Sequence, residues 1–118
     1  MKSRATLLGE LVRLDRPVDR IVHEIGAFGW DSDVELFLLE KQHIRNVLAR
    51  FLKGDADVSA TIVRDWAEAI EGRDDIGFED GSEELLKTIL FDLANPAITV
   101  SLTRSTAEEF LRRLGFTP

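Results

Sequence analysis

The sequence predicts a mainly α fold, a compact single-domain helical bundle of about five helices spanning residues 1–118. Three observations support this prediction. Apolar residues recur at spacings of three and four in several segments, as they do on the buried face of a helix. Serine, glycine and proline stand where such helices should begin and end. With 118 residues and no cysteine, the chain is long enough to bury a core without disulfide bonds.

Two helices are predicted near the N-terminus. The apolar residues between positions 5 and 14 have helical spacing, although Gly9 lies within this segment. A second helix is predicted from about residue 18 to between Gly26 and Gly29, because its apolar residues follow the same spacing. Pro17 fits the start of this helix, since proline is tolerated in a first turn.

Residues 34–39 fit two structures, because alternate residues are apolar as in a strand while a helical spacing also matches. The helical interpretation is favoured. If the segment is a strand, residues 34–38 would pair with residues 98–101, which are short and β-branched. A clearer helix is predicted from Glu40 to Lys53, and Gly54 ends it.

The best-defined element is the helix between Ser59 and Gly72. Ser59 is suited to an N-cap position, and Gly72 is suited to the left-handed conformation that follows many helix ends. Ile62, Trp66 and Ile70 repeat every four residues and define a buried face. Because an aromatic ring of this size buries a large apolar area, Trp66 is expected to anchor the core.

Two more helices are predicted in the C-terminal part of the chain. Ser82 caps a segment that ends before Pro96, because the residue preceding proline is disfavoured in a helix. Ser105 and Glu108 have the spacing of a capping box, which predicts the start of the last helix. Gly115 follows its end.

Charge is distributed unevenly along the chain. The formal net charge is −7, which disfavours nucleic acid and anionic membranes as partners because both bind basic surfaces. Residues 54–92 contain twelve acidic and three basic side chains, a balance of −9, so the remainder carries +2. One part of the molecule therefore carries the negative field, and a basic protein is the partner that this field favours.

The turn after the Ser59–Gly72 helix is predicted to carry the binding surface. Ile76 and Phe78 would pin this turn to the body of the protein and hold its acids outward. A structural alternative exists for Arg73, whose guanidinium could bond Asp75 or a helix carboxylate and lock the turn. The predicted partner-binding residues are Glu71, Asp74, Asp75, Glu79 and Asp80.

Searches for catalytic chemistry yield no predicted catalytic residue, metal site or cofactor. His23 and His43 lack the spacing of a zinc-protease motif, so structural roles are favoured for both. The paired acids do not follow the ligand spacing of a calcium loop. The chain has no cysteine, nucleophile elbow or phosphate-binding glycine loop, so a non-enzymatic role is favoured. Trp30 is expected to pack against the protein, and a role in recognising a partner is the second interpretation.

The chain also lacks an apolar run as long as a signal peptide or a transmembrane helix, because charged residues interrupt its first apolar segment. Cysteine is absent, which suits a reducing compartment. These features predict a soluble, cytoplasmic protein that does not bind membranes.

Three stretches carry a resemblance to other proteins: Trp66-Ala67, the run from Ile70 to Glu79, and Phe91-Asp92-Leu93-Ala94-Asn95-Pro96. They resemble a pattern of small, uncharacterised acidic bacterial proteins, some of which are similar to immunity proteins that neutralise secreted toxins. The resemblance spans mainly residues 45–114 and brings no catalytic residues with it. It implies a protein-binding role.

The leading functional hypothesis is a protein-binding module, immunity-like, that docks a basic partner through its acidic surface. The alternative is a structural or regulatory homo-oligomeric subunit whose acids maintain solubility. The third is a small hydrolase that depends on carboxylates or on a metal ion.

Overall fold

The computed structural model describes residues 2–29 and 34–118. Within those ranges the chain forms six α-helices and two short strands, which confirms the prediction of a mainly α fold. Trp30 lies outside the described residues. The elements are α1 (Arg4–Arg13), α2 (Val18–Ile25), β1 (Phe37–Leu39), α3 (Lys41–Leu52), α4 (Ala60–Ile70), β2 (Ile76–Phe78), α5 (Glu83–Ala94) and α6 (Arg104–Arg113), and a 3-10 turn (Gly26–Phe28) follows α2.

One hydrophobic core joins the helices, and Trp66 on α4 lies at its centre. The side chain of Trp66 is fully buried, as predicted. Its indole Nε1–H donates hydrogen bonds to the carbonyl oxygens of Leu11, at 2.8 Å, and Val12, at 3.2 Å. These bonds satisfy the polar edge of the ring where water is excluded. Trp66 therefore fixes α4 against the last turn of α1.

The predicted ends of α4 are confirmed. The Ser59 hydroxyl accepts a hydrogen bond from the Ile62 N–H, and Gly72 has the positive φ of 81° that glycine allows after a helix. The predicted capping box of the last helix is wrong, because the N-cap of α6 lies two residues before Ser105. Its N-cap is Thr103, whose hydroxyl accepts from the Thr106 N–H while the Thr106 hydroxyl accepts from the Thr103 N–H.

The sheet differs from both sequence interpretations of residues 34–39. The favoured helix is wrong, because Phe37–Leu39 forms strand β1. The alternative pairing of residues 34–38 with 98–101 is also wrong, since β1 pairs in parallel with Ile76–Phe78. Opposite Leu38, Gly77 leaves room for the Glu35 carboxylate, which lies where a Cβ would be. Ile76 and Phe78 thus do pin the turn after α4.

Residues 98–101 form no strand because local hydrogen bonds engage this part of the chain. The Ile98 and Thr99 N–H groups both donate to the Asn95 carbonyl oxygen. The Thr99 hydroxyl bonds the carbonyl oxygens of Asp92 and Asn95, both at the end of α5. The segment therefore closes the C-terminus of α5.

Among the described residues, no helix is long and apolar enough to cross a membrane.

Candidate functional site

The turn between α4 and β2 is built around Asp75, whose side chain is only 1 % exposed. The Arg73 guanidinium donates to both carboxylate oxygens of Asp75, from Nε at 2.8 Å and from Nη2 at 2.9 Å. Arg4, at the start of α1, donates from its Nε to the same carboxylate at 2.9 Å. The expectation that Asp75 points outward is therefore wrong, whereas the expected lock of the turn by Arg73 is confirmed.

The Asp75 carboxylate is held in its charged form. Burial by itself raises the pKa of a carboxyl group, but the hydrogen bonds and charges of Arg73 and Arg4 outweigh burial and lower the pKa of Asp75 from its ordinary value. A buried ion cluster consequently ties the start of α1 to the turn that follows α4. This cluster positions the neighbouring side chains, and Asp75 itself offers no surface to a partner.

The other four predicted binding residues have different surroundings. Glu71 and Asp74 are exposed and line one depression beside the turn. Glu79 is partly buried, because its carboxylate accepts a hydrogen bond from the Lys41 N–H at the start of α3. Asp80 is exposed in the turn before α5. The structure therefore brings Glu71 and Asp74 together and places Glu79 in a structural contact.

A depression of about 780 Å³ lies between the end of α2 and residues 71–75. Its acidic lining includes Glu68, Glu71 and Asp74, and we call it the acidic hollow. These three carboxylates form no ion pair within the described part of the chain. Arg73 also lines the hollow, but its guanidinium is bonded to the buried Asp75 carboxylate. The three carboxylates therefore have no direct cationic partner among the described residues.

A second depression, the α2–α4 groove, has a volume of about 640 Å³. It adjoins the acidic hollow, since both are lined by Val22, Glu68 and Ala69. Most of its floor is apolar, and the side chains on that floor are Pro17, Val18, Val22, Ile62 and Ala69. Val22 is 36 % exposed, so α2 presents apolar surface to this groove as well as to the core.

The charged side chains around the groove leave it with a negative field. Its lining includes Asp15, Asp19, Asp57, Asp65 and Glu68. Arg16 also lines the groove, but it is engaged by the carboxylates of Glu10 and Glu24. Arg50 bonds the Leu14 carbonyl oxygen and the Asp55 carboxylate. Asp19, Asp57 and Glu68 have no ion pair among the described residues, so the negative charge exceeds the available positive charge.

Bonds to Glu24 and Glu10 also affect Arg16 itself. The two carboxylates raise the pKa of Arg16, and Arg16 in turn lowers the pKa of Glu24. All three groups therefore remain charged at neutral pH. This arrangement occupies the arginine and supports the bend between α1 and α2.

Asp19, Asp57 and Glu68 were not singled out as site residues in the sequence analysis. Glu68 lies in the last turn of α4, and Glu71 is the residue that follows the helix. Asp57 belongs to the acidic excess of residues 54–92, whereas Asp19 lies outside that region. The missing information was the packing of α2 beside α4, because no local pattern specifies that contact.

The two histidines have different surroundings. The Nδ1 of His43 accepts a hydrogen bond of 2.8 Å from the Glu40 N–H, which helps to cap α3. Burial lowers the pKa of His43, so the neutral form that accepts this bond is favoured. His23 lines the acidic hollow. Within the described ranges, no group of three acidic, histidine or cysteine side chains is arranged to hold a metal ion.

No family model, curated protein or solved structure matches this chain.

Proposed function

We propose that this protein is a protein-binding module that docks a basic partner at the acidic hollow. The observation that carries the proposal is the set of three carboxylates, Glu68, Glu71 and Asp74, around one depression. None of them is ion-paired among the described residues, and Arg73, which also lines the depression, is bonded to Asp75. Apposed charge of opposite sign accelerates association and penalises incorrect partners. Of the residues predicted from the sequence, Glu71 and Asp74 remain in the proposed surface, and Glu68 joins them.

The proposal also includes the immunity-like role that the sequence resemblance implies. In that role the module binds a secreted toxin and blocks a basic surface of it. The phosphate-binding cleft of a nuclease toxin is an example of such a surface. A negative face opposite such a cleft would form ion pairs with its lysine and arginine side chains.

The first experiment is a pull-down with the tagged protein from the cells that express it, at low and at high salt. The Glu71→Lys, Asp74→Lys double variant reverses two exposed charges of the hollow. The matched control is Glu84→Lys, Glu109→Lys, because these exposed acids line neither the hollow nor the groove. We expect a basic protein to be retained by the wild type and the control, and lost from the hollow variant and at high salt.

Equal retention by the hollow variant and the control would contradict the proposal, since it would show that the total charge or another surface is responsible. Retention of no protein at low salt would also count against it. In either case the acids would serve solubility.

A homo-oligomeric subunit is the second candidate, and exposed apolar residues on β1 favour it. Leu36, directly before β1, is 37 % exposed, and Leu38, on β1, is 48 % exposed. β1 is one of the two strands of the sheet, so its other edge is unpaired among the described residues. Contact between two copies would remove such side chains from water. Sedimentation velocity over a wide concentration range, for the wild type and Leu38→Lys, tests this candidate. A wild type that stays monomeric at the highest concentration would exclude it.

A further inference from the structure

The α2–α4 groove has an apolar floor that the described chain leaves uncovered. Two isoleucines of α2 are fully buried, whereas Val18 and Val22, one helical turn apart, lie along the groove. Ile62 and Ala69 line it from α4. The groove therefore runs between two rows of apolar side chains, and burying these rows against a partner would be favourable.

The charges around the floor indicate the sign of the occupant. Asp19 contributes from α2, and Asp57 and Glu68 contribute from α4 and the segment before it. None of these three carboxylates is ion-paired in the part of the chain that the structure describes. An occupant with an apolar face and flanking basic side chains would bury the floor and approach the carboxylates at the same time. A phosphate-bearing surface would be repelled.

The backbone of the groove indicates the conformation of the occupant. The two long sides of the groove are formed by α2 and α4, and none of the residues that line it belongs to a strand. The groove therefore provides no open strand edge. An extended peptide would leave its own backbone groups without protein partners there, whereas a helix satisfies them itself. The walls contain eight and eleven residues, or about 12 and 16 Å, which matches two to three helical turns.

We propose that the α2–α4 groove binds an amphipathic, cationic helix of the partner. The helix places apolar side chains at i, i+3 or i+4 and i+7 on the floor, and lysine or arginine side chains beside Asp19, Asp57 and Glu68. This inference rests on the proposed function, because the helix belongs to the basic partner that docks at the adjoining acidic hollow. The groove contributes apolar anchoring and the hollow contributes charge.

The test uses a synthetic helical peptide of about 14 residues, about 21 Å long, in which leucine forms one face and lysine the other. A second peptide has the same composition in an order that destroys the apolar face. Binding is followed through the methyl resonances of the isotopically labelled protein. We expect the amphipathic peptide to shift the methyl signals of Val18, Val22 and Ile62. The control signal is Ile98, which is 75 % exposed and lies outside the groove.

Two variants alter residues that line the groove but not the acidic hollow. Ile62→Lys places a charge on the floor, and we expect it to weaken peptide binding about tenfold or more. Because Ile62 is partly buried, the exposed pair Asp19→Asn, Asp57→Asn provides a second test that leaves the core intact. We expect this pair to weaken binding several-fold and to reduce its salt dependence. Circular dichroism checks the fold of each variant.

The results for the groove are separable from those for the hollow. In physiological salt, Glu71→Lys, Asp74→Lys should weaken peptide binding less than Ile62→Lys, because neither residue lines the groove and salt screens interactions between exposed charges. Equal binding of both peptides, or equal shifts at Ile98, would overturn the helix inference while the pull-down could still support the acidic hollow. An empty pull-down with specific peptide shifts would instead reject the proposed function and retain a helix-binding groove.

Discussion

Asp74 and Asp75 are neighbours in the sequence, yet they belong to two electrostatically different regions. Asp75 is buried between Arg73 and Arg4, and it connects the turn after α4 with α1. Asp74 is exposed at the acidic hollow, and no ion pair involves it within the described residues. A carboxylate in the first region stabilises the fold, whereas one in the second is available to a partner. Burial and local cations therefore decide which acids can carry function.

The largest expected difference is between Asp75→Ala and Asp74→Ala. Removal of the Asp75 carboxylate takes away the buried group that Arg73 and Arg4 both contact, so we expect a loss of about 3 kcal/mol in the free energy of unfolding. Asp74→Ala removes an exposed side chain and should change this free energy by less than about 0.5 kcal/mol. Urea denaturation of both variants measures the difference. Similar midpoints would show that the Asp75 cluster is not structural.

A smaller difference is expected between Arg73→Lys and Arg64→Lys. Arg73 contacts both oxygens of the buried Asp75 carboxylate, and lysine cannot reproduce this two-bond geometry. Arg64 also directs two nitrogens towards Asp65, but both of these side chains are nearly half exposed. We expect Arg73→Lys to cost about 1–2 kcal/mol and Arg64→Lys to be close to neutral. Equal unfolding midpoints of the two variants in urea would show that the two-bond contact of Arg73 with Asp75 does not contribute specially to stability.

The sequence specified local features better than distant contacts. The spacing around Trp66 and the capping role of Ser59 predicted α4, because these signals lie within one helix. The partner of β1 was not predictable in the same way, since Phe37 and Ile76 are brought together only by the packing of the intervening helices. The β-branched residues in the short segment 98–101 suggested a strand that could pair with residues 34–38, but this local pattern was misleading.

The same distinction applies to the candidate site. Arg73 and Asp75 are two residues apart, and their contact was expected from the sequence. Arg4 is 71 residues from Asp75, so its contribution, and with it the burial of Asp75, required the tertiary structure. The groove is formed by the packing of α2 beside α4, so its position also required the tertiary structure. Local charge counts located the acidic region but did not identify which carboxylates remain accessible.

The pH dependence of stability provides a third comparison. Because the pKa of Asp75 is lowered in the folded protein, the unfolded chain binds a proton more readily. The stabilisation is present above the unfolded pKa of about 3.9 and is lost as the pH falls towards the folded pKa. Asp75→Asn should therefore reduce the slope of unfolding free energy against pH in the acidic range. Urea midpoints between about pH 2.5 and 6 test this expectation.

Some acid sensitivity should remain in Asp75→Asn, because the pKa values of Glu10 and Asp55 are also lowered. The Glu10 carboxyl accepts hydrogen bonds from Lys2 and Arg16, and Asp55 accepts from the Asp57 N–H and Arg50. An unchanged slope would indicate that Asp75 has the same proton affinity in both states, and that the arginines do not stabilise its charge.

The smallest expected effect on stability is that of Glu71→Lys, Asp74→Lys, which is also the variant with the largest expected effect on binding. Each reversal replaces a negative charge with a positive one and raises the net charge by two, so the net charge changes from −7 to −3 and the repulsion within the acidic region falls. Since both residues are exposed, the free energy of unfolding should change by less than about 0.5 kcal/mol. Urea denaturation beside the pull-down separates the two effects. A loss of binding with unchanged stability would show that these carboxylates act on a partner, whereas a parallel loss of both would place Glu71 and Asp74 with Asp75 among the residues that maintain the fold.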